Sequence, residues 1–488
     1  MRTNNSIINI SLFIGCVFTL LSCKKLIEIA PPIDTITTEQ VFENNKQAEW
    51  AMAGVYSRMI NGSNVYQTAE FEQFAAGLAN LAGGLSSDEL IVTAGNNDLA
   101  SYVLNINVLT VLNASNTNQI WKSAYKTIYD ANGVIEGIAA STSPALSDSV
   151  RKQLTAEAKT IRAFTYFYLV NFFGDLPLVE TIDYNKTKHL ARSPKSEIYD
   201  LITRDLTEAK ANLPGDFSAD NNERIRIKKW FAIALLARVY LYTGQYQNAV
   251  NNATEVIAQS SLFGLETDLD NVFLKNNKEA IWQLAQLTQS GEVGTPEGKM
   301  FIPQSAFHFP SFYLSDSVMN LFDAADKRRS NWIKSFQETP TSPVFNYPFK
   351  YKVGLDYGTQ TEYCTIMRLA ELYLVRAEAN ILLSAGNKNN AITDLNLLRQ
   401  RAGIADLPSS LTAAEVIIAI ANERRRELFA EWGHRWLDLK RTGKAVAVLS
   451  AIPYKQPWKG DYQLLYPIPK NEIDVNNSLV QNPQYNNF

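Results

Sequence analysis

The chain has 488 residues, of which 46% are hydrophobic and 19% are charged. This balance is typical of a folded globular protein and excludes an intrinsically disordered one. The formal net charge of −3 provides no general attraction to nucleic acid or to anionic lipid, so functions that depend on such attraction are disfavoured.

The first 22 residues are predicted to form a secretory signal peptide. An apolar run extends from Ile7 to Leu21, which suits a signal-peptide core and is too short for a membrane-spanning helix. The four residues that end it, Leu20-Leu21-Ser22-Cys23, resemble the lipobox of bacterial lipoproteins, in which the cysteine is lipidated and becomes the first mature residue. Each buried acyl methylene contributes about 0.8 kcal/mol, so lipid on Cys23 would anchor the protein stably. The alternatives are an ordinary secreted protein and an uncleaved amino-terminal anchor.

Residues 23–37 are predicted to be a lipidated linker, because they contain Pro31-Pro32 and show no helical period. Residues 38–488 are predicted to form a single domain. Cys16 would leave with the signal and Cys23 would carry lipid, so Cys364 would be the one remaining thiol. Cys364 is interpreted as a small buried apolar residue and not as a nucleophile.

The domain is predicted to be mainly α-helical. A first helix pair is expected over Thr38–Met59, a turn at Gly83-Gly84, and a loop over residues 93–115. Helical spacing of apolar residues then predicts a helix over 120–138 and a long helix over 150–173, which Gly174 would end.

Two later segments predict helical hairpins of tetratricopeptide type, with small residues where the helices approach and a glycine in the turn. The spacing is seven and then five residues in both: Ala237, Gly244 and Ala249, and then Ala379, Gly386 and Ala391. Between the hairpins, residues 262–363 lose the helical period and are rich in aromatic residues and proline. This region is predicted to be an irregular lobe that carries function.

A charged segment is predicted to form one helix over residues 413–440. Glu431 and Arg435, and Arg435 and Asp438, are expected to form ion pairs along its surface. Leu428, Trp432 and Trp436 recur every four residues and are expected to face inward. The segment is therefore interpreted as support for the core and not as a catalytic or nucleic-acid-binding element.

No metal site, cofactor site or catalytic site is predicted. His189, His308 and His434 are far apart in the sequence, and no paired-histidine or paired-cysteine motif occurs. Gly294–Lys299 lacks the glycine spacing of a phosphate-binding loop, and nothing in the sequence pairs two acidic residues for glycoside hydrolysis.

Motifs along nearly the whole chain resemble the SusD/RagB family of outer-membrane lipoproteins. The strongest is the segment 422–439, which reads NERRRELFAEWGHRWLDL. The others, in chain order, are residues 162–178, 235–241, 368–379, 397–403, 466–469 and 481–485.

The resemblance implies a scaffold of four tetratricopeptide-like hairpins with an irregular lobe on one side. It also implies a non-catalytic protein of a member of the Bacteroidota, anchored in the outer membrane and facing the cell exterior. Such a protein would capture oligosaccharides or polysaccharides and act as a lid on a SusC-type TonB-dependent transporter. The alternative is a helical-repeat scaffold that binds a peptide or protein, since the concave surfaces of helical repeats commonly do so.

A sugar site requires aromatic rings that pack on the C–H faces of a pyranose, and amides or carboxylates that bind its hydroxyl groups. Three regions offer such residues, and the alternative for each residue is an ordinary place in the core. The candidates are Tyr66, Phe74, Asn96, Asn97 and Tyr102 in the first region, Phe312, Tyr313, Trp332 and Tyr347 in the lobe, and Tyr454 and Trp458 near the carboxyl terminus.

Overall fold

The computed structural model describes residues 41–62, 73–288 and 291–485. The predicted signal peptide, Cys23, the predicted linker and the candidate Tyr66 lie outside the described residues, as does the side chain of Asn96.

The described residues contain eighteen α-helices: α1 (Asn45–Asn61), α2 (Ala79–Ser86), α3 (Leu99–Asn105), α4 (Ser115–Ala140), α5 (Asp148–Phe173), α6 (Tyr184–Thr187), α7 (Lys195–Asn212), α8 (Lys229–Tyr242), α9 (Tyr246–Ile257), α10 (Pro296–Phe301), α11 (Asp316–Met319), α12 (Lys327–Trp332), α13 (Leu369–Leu383), α14 (Lys388–Ala402), α15 (Ala413–Leu428), α16 (His434–Arg441), α17 (Ala445–Leu449) and α18 (Lys470–Val475). Eight short strands accompany them: β1 (Leu90–Val92), β2 (Leu176–Pro177), β3 (Arg192–Ser193), β4 (Ala280–Leu284), β5 (Phe312–Leu314), β6 (Ile333–Phe336), β7 (Phe345–Pro348) and β8 (Cys364–Arg368). The prediction of a mainly α-helical fold is confirmed.

Eight helices form the scaffold, and each packs on the next in the order α4, α5, α7, α8, α9, α13, α14 and α15. Three pairs of them are hairpins with short connections: α4 with α5, α8 with α9, and α13 with α14. Helix α7 packs between α5 and α8, and α15 packs on α13 and α14, so three of the four hairpins expected from the resemblance are present in this form. Gly244, with φ of 73°, closes the turn between α8 and α9. Ala237 and Ala249 are fully buried, so the absence of larger side chains lets the two helices approach closely.

The long helix α5 lies at the centre of the core. The predicted range 150–173 is confirmed to within two residues, since the helix spans Asp148–Phe173. It ends where Gly174 adopts a φ of 80°, a conformation that glycine accepts without steric cost. Its last three turns are buried on all sides, as expected for a helix enclosed by other elements. The ring of Phe164 packs edge-on against Trp282 of β4 at 5.7 Å and against Trp432 at 5.3 Å, which joins the scaffold to the lobe.

Between α9 and α13 the chain forms the lobe from short helices and two-stranded antiparallel sheets. The strand pairs are β1 with β5, β4 with β8, and β6 with β7, and β2 pairs with β3 outside the lobe. Cys364 begins β8 and is fully buried, as its interpretation as a core residue requires.

The prediction of one helix over residues 413–440 is wrong, because the chain leaves the helix at Phe429 and resumes it at His434. Ala430 and Trp432 adopt left-handed φ values of 49° and 50°. Two tertiary hydrogen bonds compensate for the lost helical ones. Ala430 N–H donates to Glu89 Oε1 at 2.9 Å, and Trp432 Nε1–H donates to Thr365 O at 2.9 Å.

The ion pairs expected along that helix are also absent from the described residues, because the break turns the charges towards other elements. Arg435 Nε binds Asp88 Oδ1 at 2.6 Å, and Glu431 pairs with Arg368 at 2.7 Å. Asp438 pairs instead with Arg424 at 2.6 Å.

The predicted first helix pair begins outside the described residues, and its second member is α1, which Asn44 caps by accepting from Gln47 N at 3.1 Å. Two further local predictions differ from the structure. Residues 93–115 include helix α3, which Asp98 caps in the same way. Gly83 and Gly84 lie inside the buried helix α2 and not in a turn, and their lack of a side chain serves a close contact.

Gly83 lies directly against the break, since a Cβ atom on it would be 2.5 Å from the Cα of Gly433. We expect Gly83→Ala to lower the free energy of unfolding by about 1–3 kcal/mol, because both backbones would have to separate. The matched control is Gly133→Ala in helix α4, where the nearest atom lies 4.0 Å from the added carbon. There the substitution should raise stability by about 0.5–1 kcal/mol. Urea unfolding of both variants measures the difference, and equal effects would contradict the close contact.

Candidate functional site

The first two candidate regions meet along the pair formed by β1 and β5. Ile91 lies opposite Tyr313, and Val92 lies opposite Phe312. The chain continues this pairing, since Thr93 N donates to Ser311 O at 2.9 Å. The turn that contains Asn97 follows directly and therefore begins beside the segment 309–313 of the lobe.

The third region is held to the same place by Lys455, which is fully buried. Its ammonium group donates to Leu85 O at 2.9 Å, to Asn105 O at 2.6 Å and to Asn107 Oδ1 at 2.6 Å. These acceptors lie at the ends of α2 and α3, so one cation ties the carboxyl-terminal loop to both helices. Burial lowers the pKa of Lys455 to about 7, although the charge of Asp88 opposes the shift.

Five aromatic rings collect where the three regions converge, and we call this surface the aromatic face: the exposed Phe307, Phe309 and Tyr454 and the half-buried Tyr313 and Phe345. The ring of Phe345 lies 5.1 Å from that of Tyr313 and 5.5 Å from that of Phe309, both edge-on. Phe307 is 91% exposed and Phe309 43% exposed. Tyr454 is 36% exposed. Burial of its hydroxyl, together with the nearby Asp88 and Tyr313, raises the pKa of Tyr454.

Such a surface can bind a sugar without reacting with it. The rings offer faces for C–H groups, and the exposed Asn97 lies on the turn after β1. The two acids at the end of α2 are engaged inside the protein. Burial raises the pKa of Glu89 to about 7, although Ala430 N–H donates to it. Burial also acts to raise the pKa of Asp88, but Arg435 and Arg425 outweigh it and hold the value below the usual range.

Two sequence models match this chain. Residues 315–485 match the model described as the SusD family, and residues 58–241 match one described as starch-binding, associating with the outer membrane. This chain belongs to the SusD family. The resemblance predicted from the sequence motifs is thereby confirmed.

Named relatives of the SusD family match across most of this chain. SusD-like protein P25 of Formosa agariphila is 25% identical, over 98% of this chain and 99% of its own length. The starch-binding protein SusD of Bacteroides thetaiotaomicron is 24% identical, over 70% of this chain and 74% of its own length. A solved structure of a laminarin-binding SusD-like protein superposes with a TM-score of 0.74 at 26% identity, covering 91% of this chain and all of the other.

In this SusD-family fold several candidate residues lie in the core. Phe74 and Trp332 are fully buried, and Trp332 Nε1–H donates to Leu269 O at 2.9 Å. Phe312 and Tyr347 are also buried, and Tyr102 packs half-buried against the core. The four buried rings expose no free face to a ligand, whereas Tyr102 remains a candidate.

Trp458 follows Tyr454 in the carboxyl-terminal loop and is half-buried against the core. Its Nε1–H has no hydrogen-bond partner among the described residues. It remains a candidate for ligand contact together with Tyr313 and Asn97.

Three rings of the aromatic face were not among the predicted site residues: Phe307, Phe309 and Phe345. Each is in the lobe, and Phe307 and Phe309 flank His308 in a stretch without helical or strand period. An apolar ring in such a stretch has no periodic partner in a core, and this signal could have marked Phe307 and Phe309 as exposed.

Two kinds of feature are missing from the described residues. No three histidine, cysteine, aspartate or glutamate side chains come together there as ligands of a metal ion would. Among the helices of the described ranges, none combines the length and the apolar character that a membrane crossing requires.

Lys455 predicts a pH dependence of stability in this SusD-family protein. Its pKa is about 7 in the folded chain, against 10.5 for an ordinary lysine. Between pH 7 and 9 the unfolded chain therefore binds a proton that the folded chain has released, and wild-type stability rises with pH. Lys455→Met removes this titration, so the stability difference between wild type and variant should grow by about 2 kcal/mol from pH 7 to pH 9.

Urea unfolding at the two pH values measures this difference. Lys470→Met is the control, because the Lys470 side chain is more than half exposed. A difference for Lys455→Met that does not change with pH would show that the folded lysine stays charged.

Proposed function

We propose that this protein is a non-catalytic glycan-binding protein of the outer membrane, which captures oligosaccharides or polysaccharides on the aromatic face. The observation that carries the proposal is the group of exposed rings where all three candidate regions converge. Similarity to known proteins supports the proposal, because one relative is named a starch-binding protein and a structural neighbour is named laminarin-binding.

The arrangement of the rings favours sugar over a peptide ligand. Phe307, Phe309 and Tyr454 are exposed on loops and next to strand ends, where a flat pyranose can lie against them. Strand pairing fixes Tyr313 and Phe345 before any ligand arrives, so little side-chain entropy is lost on binding.

We further propose that Cys23 carries the lipid anchor and that the protein passes its ligand to a SusC-type TonB-dependent transporter. The lipobox-like segment before Cys23 supports the anchor. The family model described as associating with the outer membrane supports the location. The anchor would hold the aromatic face close to the membrane in which such a transporter lies.

The aromatic face predicts a specific loss of glycan binding. We expect Tyr313→Ala and Phe309→Ala each to weaken binding about tenfold, since losing one ring contact removes about 1.4 kcal/mol. Isothermal titration against laminarin, starch and their oligosaccharides measures the affinity. Tyr184→Ala is the control, because Tyr184 is an exposed ring (71%) on helix α6, outside the lobe.

Wild-type affinity for at least one glycan, unchanged in Tyr184→Ala, is the expected pattern. Equal affinity of all four proteins would remove the aromatic face from the binding site. Release of reducing ends from any bound glycan would contradict the non-catalytic part of the proposal.

Cys23 predicts the mode of membrane attachment. We expect the wild-type protein to partition into the detergent phase and Cys23→Ser into the aqueous phase, because the variant lacks the acyl chains that bury in lipid. Cys16→Ser, in the predicted signal peptide, should behave as wild type. Mass spectrometry of the mature amino terminus completes the test, and a terminus without acyl chains would exclude the anchor.

A further inference from the structure

A second site is suggested by a cavity between the scaffold helices α13 and α15 and the helices α16 and α17 that follow them. Its volume is about 220 Å³. Apolar side chains form most of its wall: Ile381, Leu382, Ile417, Ile420, Leu439 and Val448. Of these, Ile417 and Leu382 are partly exposed at 46% and 39%, so the cavity opens to solvent beside them.

Two nitrogen atoms of arginines in this wall have no hydrogen-bond partner among the described residues. Arg424 is only 4% exposed, and its Nε and Nη2 atoms donate to Asp438 at 2.6 and 3.1 Å. Its Nη1 atom has no hydrogen-bond partner among the described residues. Arg425 also lines the cavity, and its Nε atom is likewise unpartnered within the described chain. A buried N–H group without an acceptor is destabilising, and an oxygen of a bound ligand would remove this cost.

The charges around the cavity favour an anion. Five cationic side chains line it, and two carboxylates, Glu378 and Asp438, line it with them. Asp88 adds one more negative charge through its pairs with Arg425 and Arg435. Five cations against three carboxylates leave an excess of two positive charges. The cationic residues are Arg424, Arg425, Arg435, Arg441 and Lys444.

The size of the cavity sets the size of the ligand. An apolar cavity of about 150 Å³ holds benzene, so this one accommodates a somewhat larger body. It is smaller than the roughly 300–1,000 Å³ of sites for drug-sized molecules, which excludes a chain of several sugar rings.

We propose that this cavity binds a small amphiphilic carboxylate, an alkyl or aryl acid of roughly eight to twelve non-hydrogen atoms. The carboxylate accepts a hydrogen bond from Nη1 of Arg424, whose other two nitrogen atoms already donate to Asp438. The apolar body lies along Ile381, Ile417 and Ile420. This site is separate from the aromatic face and does not depend on glycan binding.

Binding of 3-phenylpropionate to the purified protein, measured by isothermal titration, tests the proposal. Its uncharged counterpart 3-phenylpropanamide has nearly the same shape and should bind at least tenfold more weakly, because it brings no charge to the arginines. Ala421→Trp places a large ring in the cavity from an exposed position on α15 and should weaken binding of the acid at least tenfold.

Ala414→Trp is the matched control, since Ala414 is exposed on the same helix and does not line the cavity. It should bind the acid as wild type does, and thermal unfolding of both tryptophan variants confirms that they fold. The proposal is overturned if the acid does not bind at 10 mM, a ceiling that corresponds to about 3 kcal/mol. It is equally overturned if the amide binds as well as the acid, or if Ala421→Trp binds as wild type does.

Discussion

The buried carboxylate of Glu427 holds the two halves of this molecule together. It pairs with Arg368 at 2.6 Å and with Arg328 at 3.0 Å, and also with Arg401. Arg328 belongs to the lobe, Arg368 ends strand β8, and Arg401 lies on scaffold helix α14. Burial alone would raise the pKa of Glu427, but the three guanidinium groups hold it well below its usual range. Because an unpaired charge in such a place costs about 3–5 kcal/mol, the lobe is held to one arrangement on the scaffold.

The site follows from that arrangement through a chain of contacts. Helix α15 ends just after Glu427, and the break at Phe429–Gly433 brings Ala430 N–H to Glu89 and places Gly433 against Gly83. Helix α2 is thereby fixed, and the carbonyl of Leu85 near its end accepts from Lys455. Lys455 in turn places Tyr454 at the aromatic face. The positions of the rings in the aromatic face therefore depend on the buried polar groups Glu427, Glu89 and Lys455.

The sequence predicts the parts of this fold that depend on local chemistry. The hairpins follow from small residues and a glycine at fixed spacing, because close helix approach and a tight turn are decided within about twenty residues. The break after Leu428 does not follow from local chemistry, since Leu428, Trp432 and Trp436 recur at the spacing of one continuous helix that faces inward. Only partners distant in sequence, Glu89 and Thr365, make the break favourable.

Dependence on partners distant in sequence also explains why some of the predicted site residues lie in the core and others at the surface. Phe312 and Tyr313 are adjacent on β5 and therefore point to opposite sides, one into the core and one towards the aromatic face. Composition alone treats them alike, as it does Trp332.

Among the buried arginines, Arg425 uses different nitrogen atoms for different partners. Arg425 binds Asp88 through Nη2 and keeps Nε without a partner in the described chain, so an anion in the cavity would add a hydrogen bond without taking one from Asp88. The aromatic face and the cavity therefore share a supporting carboxylate while each keeps its own binding groups.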